Sequence, residues 1–519
     1  MLLFGAPRPG ETIGLSCVLD NTPSIWSSFL PWLATALELA QIPPSCILVH
    51  HACPLRQDVA DLCARLGVVT HSVDPFDARS PHSNKIRQLE TDFGAARRIL
   101  LTDVDVVFSR PLPCERIGAA VAGKTVDRPK PPLEVLEIIF AHSGIPTPDR
   151  CTNRLKSQGQ TLEFSSLVGN FNGGLYLIGS QYARALGARW RYWAHWLLDN
   201  IALLGHWKIN VDQVSFCLAL KDSGFDSLIL GDEWNFPTHI EMPPVNEEPY
   251  VIHHHARLDN HQRLLSVLDD PPRRAIERVN QAIEKFQRQY FDNRTFWNHR
   301  YTFYPDRGSG IGSRGEALYL KRDLLSRAIP PKEGLTILDW GCGDIELTSG
   351  FPWNLYVGVD VSVEALRVAK EKRSDWHFAT PEQFDADDGM TRDLVLCIDV
   401  LIHQPTREQY FAMLDKVVSL ARIGLVVSGY DRPPKFASFI TYFHEPLKAV
   451  LSRRNDVIFL VQLTEYRDTA VYFVAKKVTN VFIGTDFATT ETSSGICALV
   501  YDYIHVTLEV TKRRDLYIR

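Results

Sequence analysis

A chain of 519 residues is longer than one hydrophobic core supports and calls for two to four domains at roughly 100 to 200 residues each. Apolar residues at 45% and charged residues at 23% are ordinary globular proportions, which excludes wholesale disorder. The 56 Lys plus Arg against 61 Asp plus Glu leave a formal net charge of -5, so no basic field recommends nucleic acid or an anionic membrane as partner, and a small substrate fits better.

No segment reaches the ~18 uninterrupted apolar residues of a membrane helix. The stretch Met1–Gly10 carries Pro7 and Pro9 and no signal-peptide apolar core. A cytoplasmic protein without an integral membrane segment is expected. The ten cysteines form no C-x-x-C pair and sit mostly in apolar segments, which predicts neither a structural zinc nor a disulfide framework.

Along the chain, the alternation of Ile13, Leu15, Cys17 and Leu19 predicts a strand ending at Asp20, and Ile25, Phe29, Leu33 and Leu37 follow at helical spacing. Further strands are predicted at 46–50, 68–73 and 98–101, so residues 1–268 read as one α/β domain with a largely parallel sheet. In LLTDVDVVF, Asp103 and Asp105 fall where an apolar strand ends. Mg²⁺ and Mn²⁺ want oxygen ligands, and two such carboxylates can hold one while a diphosphate supplies further oxygens. A solvated strand end is the competing reading, and Asp385 to Asp387 repeats the spacing in a predicted polar loop. VGNFNGGLYLIGS predicts an Asn-Gly-Gly turn entering a strand. It is either a hairpin signal or a place where Asn172 and Gly173 admit a sugar. Asp212 and Gln213 open a predicted helix, and YVIHHHARLD puts His253, His254 and His255 after a short strand. A neutral imidazole there is either a further metal ligand or a hydrogen-bonded structural residue.

In this order, and with the Asn84-Lys85 pair ahead of the acids, these pieces resemble the GT-A glycosyltransferases of the glycogenin and lipopolysaccharide galactosyltransferase type over residues 10–265. The resemblance implies a GT-A nucleotide-diphospho-sugar transferase fold and a nucleotide-sugar donor met by Asp20, Lys85, Asn172 and Gly173. It also implies Mn²⁺ or Mg²⁺ held by Asp103, Asp105 and a histidine, His253 by motif position with His254 and His255 as alternatives. Asp212 and Gln213 would stand at the reacting centre, and transfer would retain the anomeric configuration. Members carry Lys-Pro-Trp after the histidine. Here Ala256-Arg257-Leu258 stands instead, with Arg257 in place of the lysine on the diphosphate.

Asp269, Asp270, Pro271 and Pro272 then open a predicted connecting helix over 269–296, with Ile276, Val279, Ile283, Phe286 and Tyr290 on one face. The glycine-rich stretch 307–315 reads as a closing loop or a flexible linker. LTILDWGCGDIELT predicts a strand ending at Asp339, a tight Gly341-Cys342-Gly343 loop and a helix. A dinucleotide fold wants a third glycine where Glu346 stands, whereas S-adenosylmethionine has no pyrophosphate to require it. LYVGVDVS ends a second strand at Asp360, an acceptor for two ribose hydroxyls, and DLVLCIDVLIHQ supplies a fourth strand and its loop.

Residues 297–478 thus resemble the class I S-adenosylmethionine-dependent methyltransferases, and the WNHRYTFYPDRGSGIGSRG lead-in resembles one bacterial branch of them. The resemblance implies that Asp339, Gly341, Gly343 and Asp360 bind S-adenosyl-L-methionine. Hydroxyl methylation needs a base, and His403 is the best placed, with a local hydrogen bond as the competing role; Asp399 orients it or touches substrate. Residues 479–519 form a C-terminal extension in which 497–510 predict a strand apolar on both faces. The expectation is two Rossmann-like domains joined by a helix, and a bifunctional enzyme acting on a nucleotide-sugar donor and a glycan or small-molecule acceptor, without nucleic acid. The alternatives are one catalytic domain beside a binding module, and a non-sugar methyl acceptor.

Overall fold

The computed structural model describes residues 13–476, except 158, 260, 268, 291, 332, 388–389 and 436–439, together with 500–505. The chain divides into two compact units, Met1–Phe286 and Gln287–Arg519. Each is built on a Rossmannoid α/β sheet.

In the first unit the strands are β1 (Ile13–Leu19), β2 (Ile47–His51), β3 (Val69–Ser72), β4 (Arg98–Thr102), β5 (Val106–Phe108), β6 (Val121–Thr125), β7 (Arg150–Ser157), β8 (Gln160–Leu167), β9 (Phe171–Gly179), β10 (Ser227–Ile229), β11 (Phe236–Pro237) and β12 (Val251–His253). The main sheet runs β10-β6-β9-β4-β1-β2-β3, parallel except for β9, which lies antiparallel between β4 and β6. Leu15, Cys17 and Leu19 are fully buried because β1 is central and covered on both faces. A second sheet, β11-β12-β5, pairs His253 with Val106 and so sets His253 beside Asp105. Helix α1 (Pro23–Glu38) starts on a proline and is tied to the sheet by Trp32, whose Nε1 donates to Thr102 Oγ1 at 2.9 Å. Helices α2 (Gln57–Leu66) and α3 (Leu133–Ser143) follow, and α4 (Ser180–Asp199) is locked to α5 (Val211–Ser223) by Trp190, whose Nε1 donates to the Asp212 carbonyl at 2.9 Å.

The predicted connecting helix is α6 (Pro272–Tyr290). It buries Ala275, Ile276, Val279, Ile283 and Phe286 on one face. Its Asn280 exchanges hydrogen bonds with Leu264, and Arg278 donates to the Ser109 carbonyl, so the helix is part of the first unit's packing. The Asn-Gly-Gly segment is not a turn: the chain reverses at Val168–Gly169, and Asn172 to Gly174 already run in β9. Asp385 to Asp387 lie in a short helix rather than a polar loop, because Pro381 starts a turn that carries through them.

The second unit opens with α7 (Asn293–Phe303), capped by Asp292, and α8 (Gly315–Ala328). Its strands β13 (Thr336–Trp340), β14 (Leu355–Val359), β15 (His377–Ala379), β16 (Arg392–Cys397), β17 (Ala421–Tyr430), β18 (Val457–Tyr466) and β19 (Thr469–Lys476) form one sheet in the order β15-β14-β13-β16-β17-β19-β18. The strands through β17 are parallel, and β19 enters antiparallel between β17 and β18. Helices α9 (Val363–Lys372), α10 (Pro381–Asp387), α11 (Arg407–Leu420) and α12 (Leu447–Ser452) complete it, α11 with a Thr406/Gln409 capping box.

Two expectations fail here for physical reasons. The segment after Gly343 makes turns, not a helix. Gly350 and Pro352 leave too few residues before β14, and Ile345 sits at φ 53. Within the predicted strand 497–510, the described residues 500–505 are helical. Val500, Tyr503 and Ile504 recur at i, i+3 and i+4, and all three enter the core beside Phe459 and Phe473.

Candidate functional sites

The first site forms at the carboxyl end of β4. Asp103 Oδ1 lies 2.8 Å from Lys85 Nζ, and Asp212 Oδ2, in the first turn of α5, lies 3.0 Å from the same nitrogen. Burial opposes the charge on Lys85, but Asp103 and Asp212 outweigh it and raise its pKa. Lys85 also donates to the Gly173 carbonyl at 3.3 Å, and a Cβ on Gly173 would stand 2.7 Å from Nζ. Gly174 admits His253 in the same way, since a Cβ there would lie 2.6 Å from His253 Nδ1. Asn172 is drawn off to the side, donating to Asp127 at 2.6 Å.

Asp105 Oδ1 lies 3.2 Å from His253 Nε2. Burial pulls His253 down, yet Asp105 raises it above the ordinary imidazole value, and the imidazole in turn holds Asp105 well below the usual carboxylate range. His255 and Ala256 adopt φ of 49° and 56°, a reversal that folds the His255 ring back onto His253 at 3.6 Å between centroids. Ligand atoms of Asp105, His253 and His255 thereby lie within 4.8 Å of one another. His253 Nδ1 and His255 Nε2 are buried without a hydrogen-bond partner. A carboxylate and two imidazoles with nitrogens to spare fit a divalent cation. Asp103 stands outside that cluster, with one oxygen given to Lys85. His254 points elsewhere, fully buried, and burial lowers it to about 4.

Of the other expected residues, Gln213 donates to Asn170 and to the Lys130 carbonyl, and Arg257 donates to the Thr238 carbonyl at 2.7 Å. Asp20 accepts from Thr22 N at 2.7 Å.

In the second unit, Gly341 and Gly343 take φ of 82° and 55°, which a side chain disfavours. A Cβ on Gly341 would also sit 2.2 Å from Val400 Cγ2. The loop is held by Asp360, whose Oδ2 accepts from Gly343 N at 2.9 Å while Oδ1 accepts from Ser362 N at 2.8 Å. Asp339 accepts from Tyr356 at 2.6 Å. Burial pushes both carboxyls up to about 6. The glycine-rich stretch is folded onto this loop: Ser309 Oγ meets the Tyr301 hydroxyl and donates to Asp344 at 3.1 Å, and Arg314 pairs with Asp344 at 2.8 Å. That arrangement excludes a free linker.

Gly341, Gly343, Asp339, Asp360, Trp297, Ser309, Asp399 and His403 line one cavity. His403 Nδ1 meets the Ile440 carbonyl at 2.6 Å. A carbonyl only accepts, so Nδ1 carries the proton and Nε2 keeps its lone pair. Burial lowers the pKa of His403, which keeps it neutral. Asp399, at φ 61, accepts from Lys321 at 2.7 Å, from Ser428 at 3.2 Å and from the Tyr466 hydroxyl. Its carboxylate is therefore spent on those three donors and does not bond to His403.

Residues 338–420 match the family model of a methyltransferase domain. No curated protein matches the chain. Among solved structures, the magnesium protoporphyrin IX methyltransferase of Synechocystis with bound SAM shares 22% identity, covering 36% of this chain and 98% of its own, at a TM-score of 0.27. The galactosyltransferase LgtC, with donor and acceptor sugar analogs, shares 11% identity over 52% of this chain and 95% of its own, at 0.33. Mouse xyloside xylosyltransferase 1 shares 13% over 47% and 97%, at 0.30. Likenesses at these identities and scores carry no weight about reaction or substrate.

The second unit contains functional candidates that the sequence does not flag. Lys321 and Tyr466 reach Asp399 from 78 and 67 positions away, and no local motif joins them. His255 carried a signal, the histidine run, but its inward turn depends on a positive φ that only the fold shows.

Proposed function

We propose that the chain is a two-site transferase that moves a sugar from a nucleotide-sugar with retention and methylates a hydroxyl of the glycan or acceptor using S-adenosylmethionine. The observation that carries this reading is the shared cavity of His403 and the Gly341–Gly343 loop: a neutral base with a fixed tautomer faces the place where the cofactor-binding residues converge.

In the second unit, Asp360 accepts the ribose hydroxyls, and Gly341 and Gly343 bring backbone close to the bound adenosine. Asp339 ties the segment that follows that loop to the sheet, accepting from Thr348 and from Tyr356 of β14. S-adenosylmethionine supplies an electrophilic methyl group when bound. His403 Nε2 takes the proton of the attacking hydroxyl, which is a poor nucleophile until that proton leaves. Asp399 and Lys321 stand paired at the cavity wall, and the Tyr466 hydroxyl holds Asp399 from behind. In the first unit, Asp105 and His253 would hold Mn²⁺ or Mg²⁺ together with Asp103 or His255. A divalent cation there supplies charge that stabilises a departing diphosphate. Lys85 and Asp212 orient the sugar across Gly173, with Asn172 and Gln213 beside it and Asp20 at the nucleotide end. Arg257 is committed to the Thr238 carbonyl, which favours as a second reading a first unit that binds a sugar nucleotide without turning it over.

Thermal-shift titration tests both sites. Parent protein is expected to be stabilised by a nucleoside diphosphate sugar only with Mn²⁺, and independently by S-adenosylhomocysteine. A ligand at 100 times its Kd adds about 2.7 kcal/mol. The Asp105→Ala, His253→Ala double variant should lose the first response alone, and Asp360→Ala should weaken the second by about 1.5–3 kcal/mol. Unchanged responses in both variants would return these residues to structural roles.

A further inference from the structure

Arg300, on α7, is 6% exposed, yet among the described residues no carboxylate pairs with it, and its Nε is buried without a hydrogen-bond partner. The guanidinium is surrounded by ring faces and glycine. It lies 5.7 Å from the Trp297 centroid and 6.0 Å from that of Phe296, and a Cβ on Gly310 would stand 3.1 Å from Nη2. Cation–π contact offsets only part of what an arginine loses on leaving water, so an isolated buried guanidinium is unfavourable until an anion joins it. Its charged surroundings deepen the deficit. Burial, with Arg307 and Arg314 in electrostatic reach, lowers its pKa, and Arg314 is already taken by Asp344.

The charge also has a direction. Trp297 lines the cavity of the second unit and sits edge-on to His403 at 5.1 Å, and the Arg300 guanidinium lies 5.7 Å from the centroid of that same ring. The adenosine-side residues Gly343 and Asp344 are instead met by the neighbouring Tyr301 and by Ser309. The unmatched cation therefore stands behind Trp297, one ring away from the base, with its Nη2 toward Gly310.

We propose that Arg300 is an oxyanion receptor for the methyl acceptor: the molecule methylated beside His403 carries a carboxylate or phosphate, as a uronic acid or a sugar phosphate does, and that group pairs with the guanidinium. The inference rests on the methyl-transfer reading of this cavity. A planar guanidinium with two terminal amino groups matches such an oxyanion through paired hydrogen bonds, which a lysine would not reproduce.

The test uses the full chain saturated with S-adenosylhomocysteine and titrated with glucuronate, glucose 6-phosphate or glucose in a calorimeter. One of the charged sugars is expected to bind about tenfold or more tightly than glucose, as charge-assisted bonds imply. Arg300→Gln should erase that preference and leave the affinity for S-adenosylhomocysteine unchanged. Should Arg300→Gln not fold, Arg300→Lys keeps the charge without the fork and should retain only part of the preference. Equal binding of the three sugars by the parent overturns the proposal, as does a preference that survives in either variant undiminished. Loss of S-adenosylhomocysteine affinity in Arg300→Gln overturns it differently, by assigning the cation to the carboxylate of the methyl donor. A parent that binds the charged sugars equally with glucose but does bind S-adenosylhomocysteine leaves the methyl-transfer reading standing; a parent that binds no S-adenosylhomocysteine removes both.

Discussion

On the proposed reading of the second site, the buried carboxyl of Asp360 ties ligand binding to pH. Burial raises it to about 6, against the backbone N–H groups of Ser362 and Gly343 that favour its charge. Because the folded pKa lies above the ordinary carboxylate value, the stability this group contributes is complete below about pH 4 and is lost as pH rises through about 6. Ribose hydroxyls donate only to the ionised form with full strength, so binding of S-adenosylhomocysteine pulls the other way and favours loss of the proton. Calorimetry at pH 6 in two buffers of different ionisation enthalpy should therefore register release of up to about half a proton, vanishing at pH 8. Asp360→Asn should bind more weakly and release none. Pronounced release in that variant would transfer the effect to Asp339, which burial also raises to about 6. At this scale the acids were legible in the sequence because strand ends advertise them: Asp103, Asp105, Asp339 and Asp360 each follow an apolar run. Arg300, Lys321 and Tyr466 were not, because what distinguishes them is burial and a distant partner, and neither quantity has a local pattern.

Strand β9 has a function beyond its hydrogen bonds, since two of its glycines, Gly173 and Gly174, make room for side chains from other elements. Gly174 has an ordinary backbone conformation, so its only requirement is space, and a Cβ would press on the His253 ring at 2.6 Å. Gly174→Ala is expected to leave the first unit folded, to cost about 1–3 kcal/mol through overpacking, and to reduce Mn²⁺ affinity at least about tenfold by turning the imidazole out of place. Titration of Mn²⁺ by paramagnetic relaxation would show this, and parental affinity in a folded variant would separate His253 from the metal. Periodicity exposed the strands and helices that face a core on one or both sides. It misplaced the Asn-Gly-Gly segment because small residues read as a turn whether they relieve a backbone or admit a neighbour. It likewise missed the turns after Gly343, where the residues run short before the next strand rather than lacking helix formers.

Considered whole, the molecule is two compact units whose division at Phe286 falls inside α6 rather than before it. Six apolar side chains of that helix are buried, and each large one contributes on the order of 1.5–3 kcal/mol. A cut at residue 270 is therefore expected to yield an N-terminal fragment of sharply lower thermal stability, whereas a fragment of residues 1–290 should retain a cooperative transition and its Mn²⁺ response. Residues 292–519 should bind S-adenosylhomocysteine alone. Equal stability of the two N-terminal fragments would mean that α6 adds nothing to the first unit. The described residues 500–505 lead to a last consequence. Tyr503 donates its hydroxyl to the carbonyl of Lys476 at 3.1 Å, although the two are 27 positions apart. The chain that leaves β19 therefore comes back to its point of departure, and Val500, Tyr503 and Ile504 insert into the same core as Phe459 and Phe473. Lys476 and Tyr503 are thus two fixed points 27 positions apart in sequence. A stop codon ahead of Val500 would therefore take away a piece of the hydrophobic core and, with Tyr503, the donor to the last carbonyl of β19.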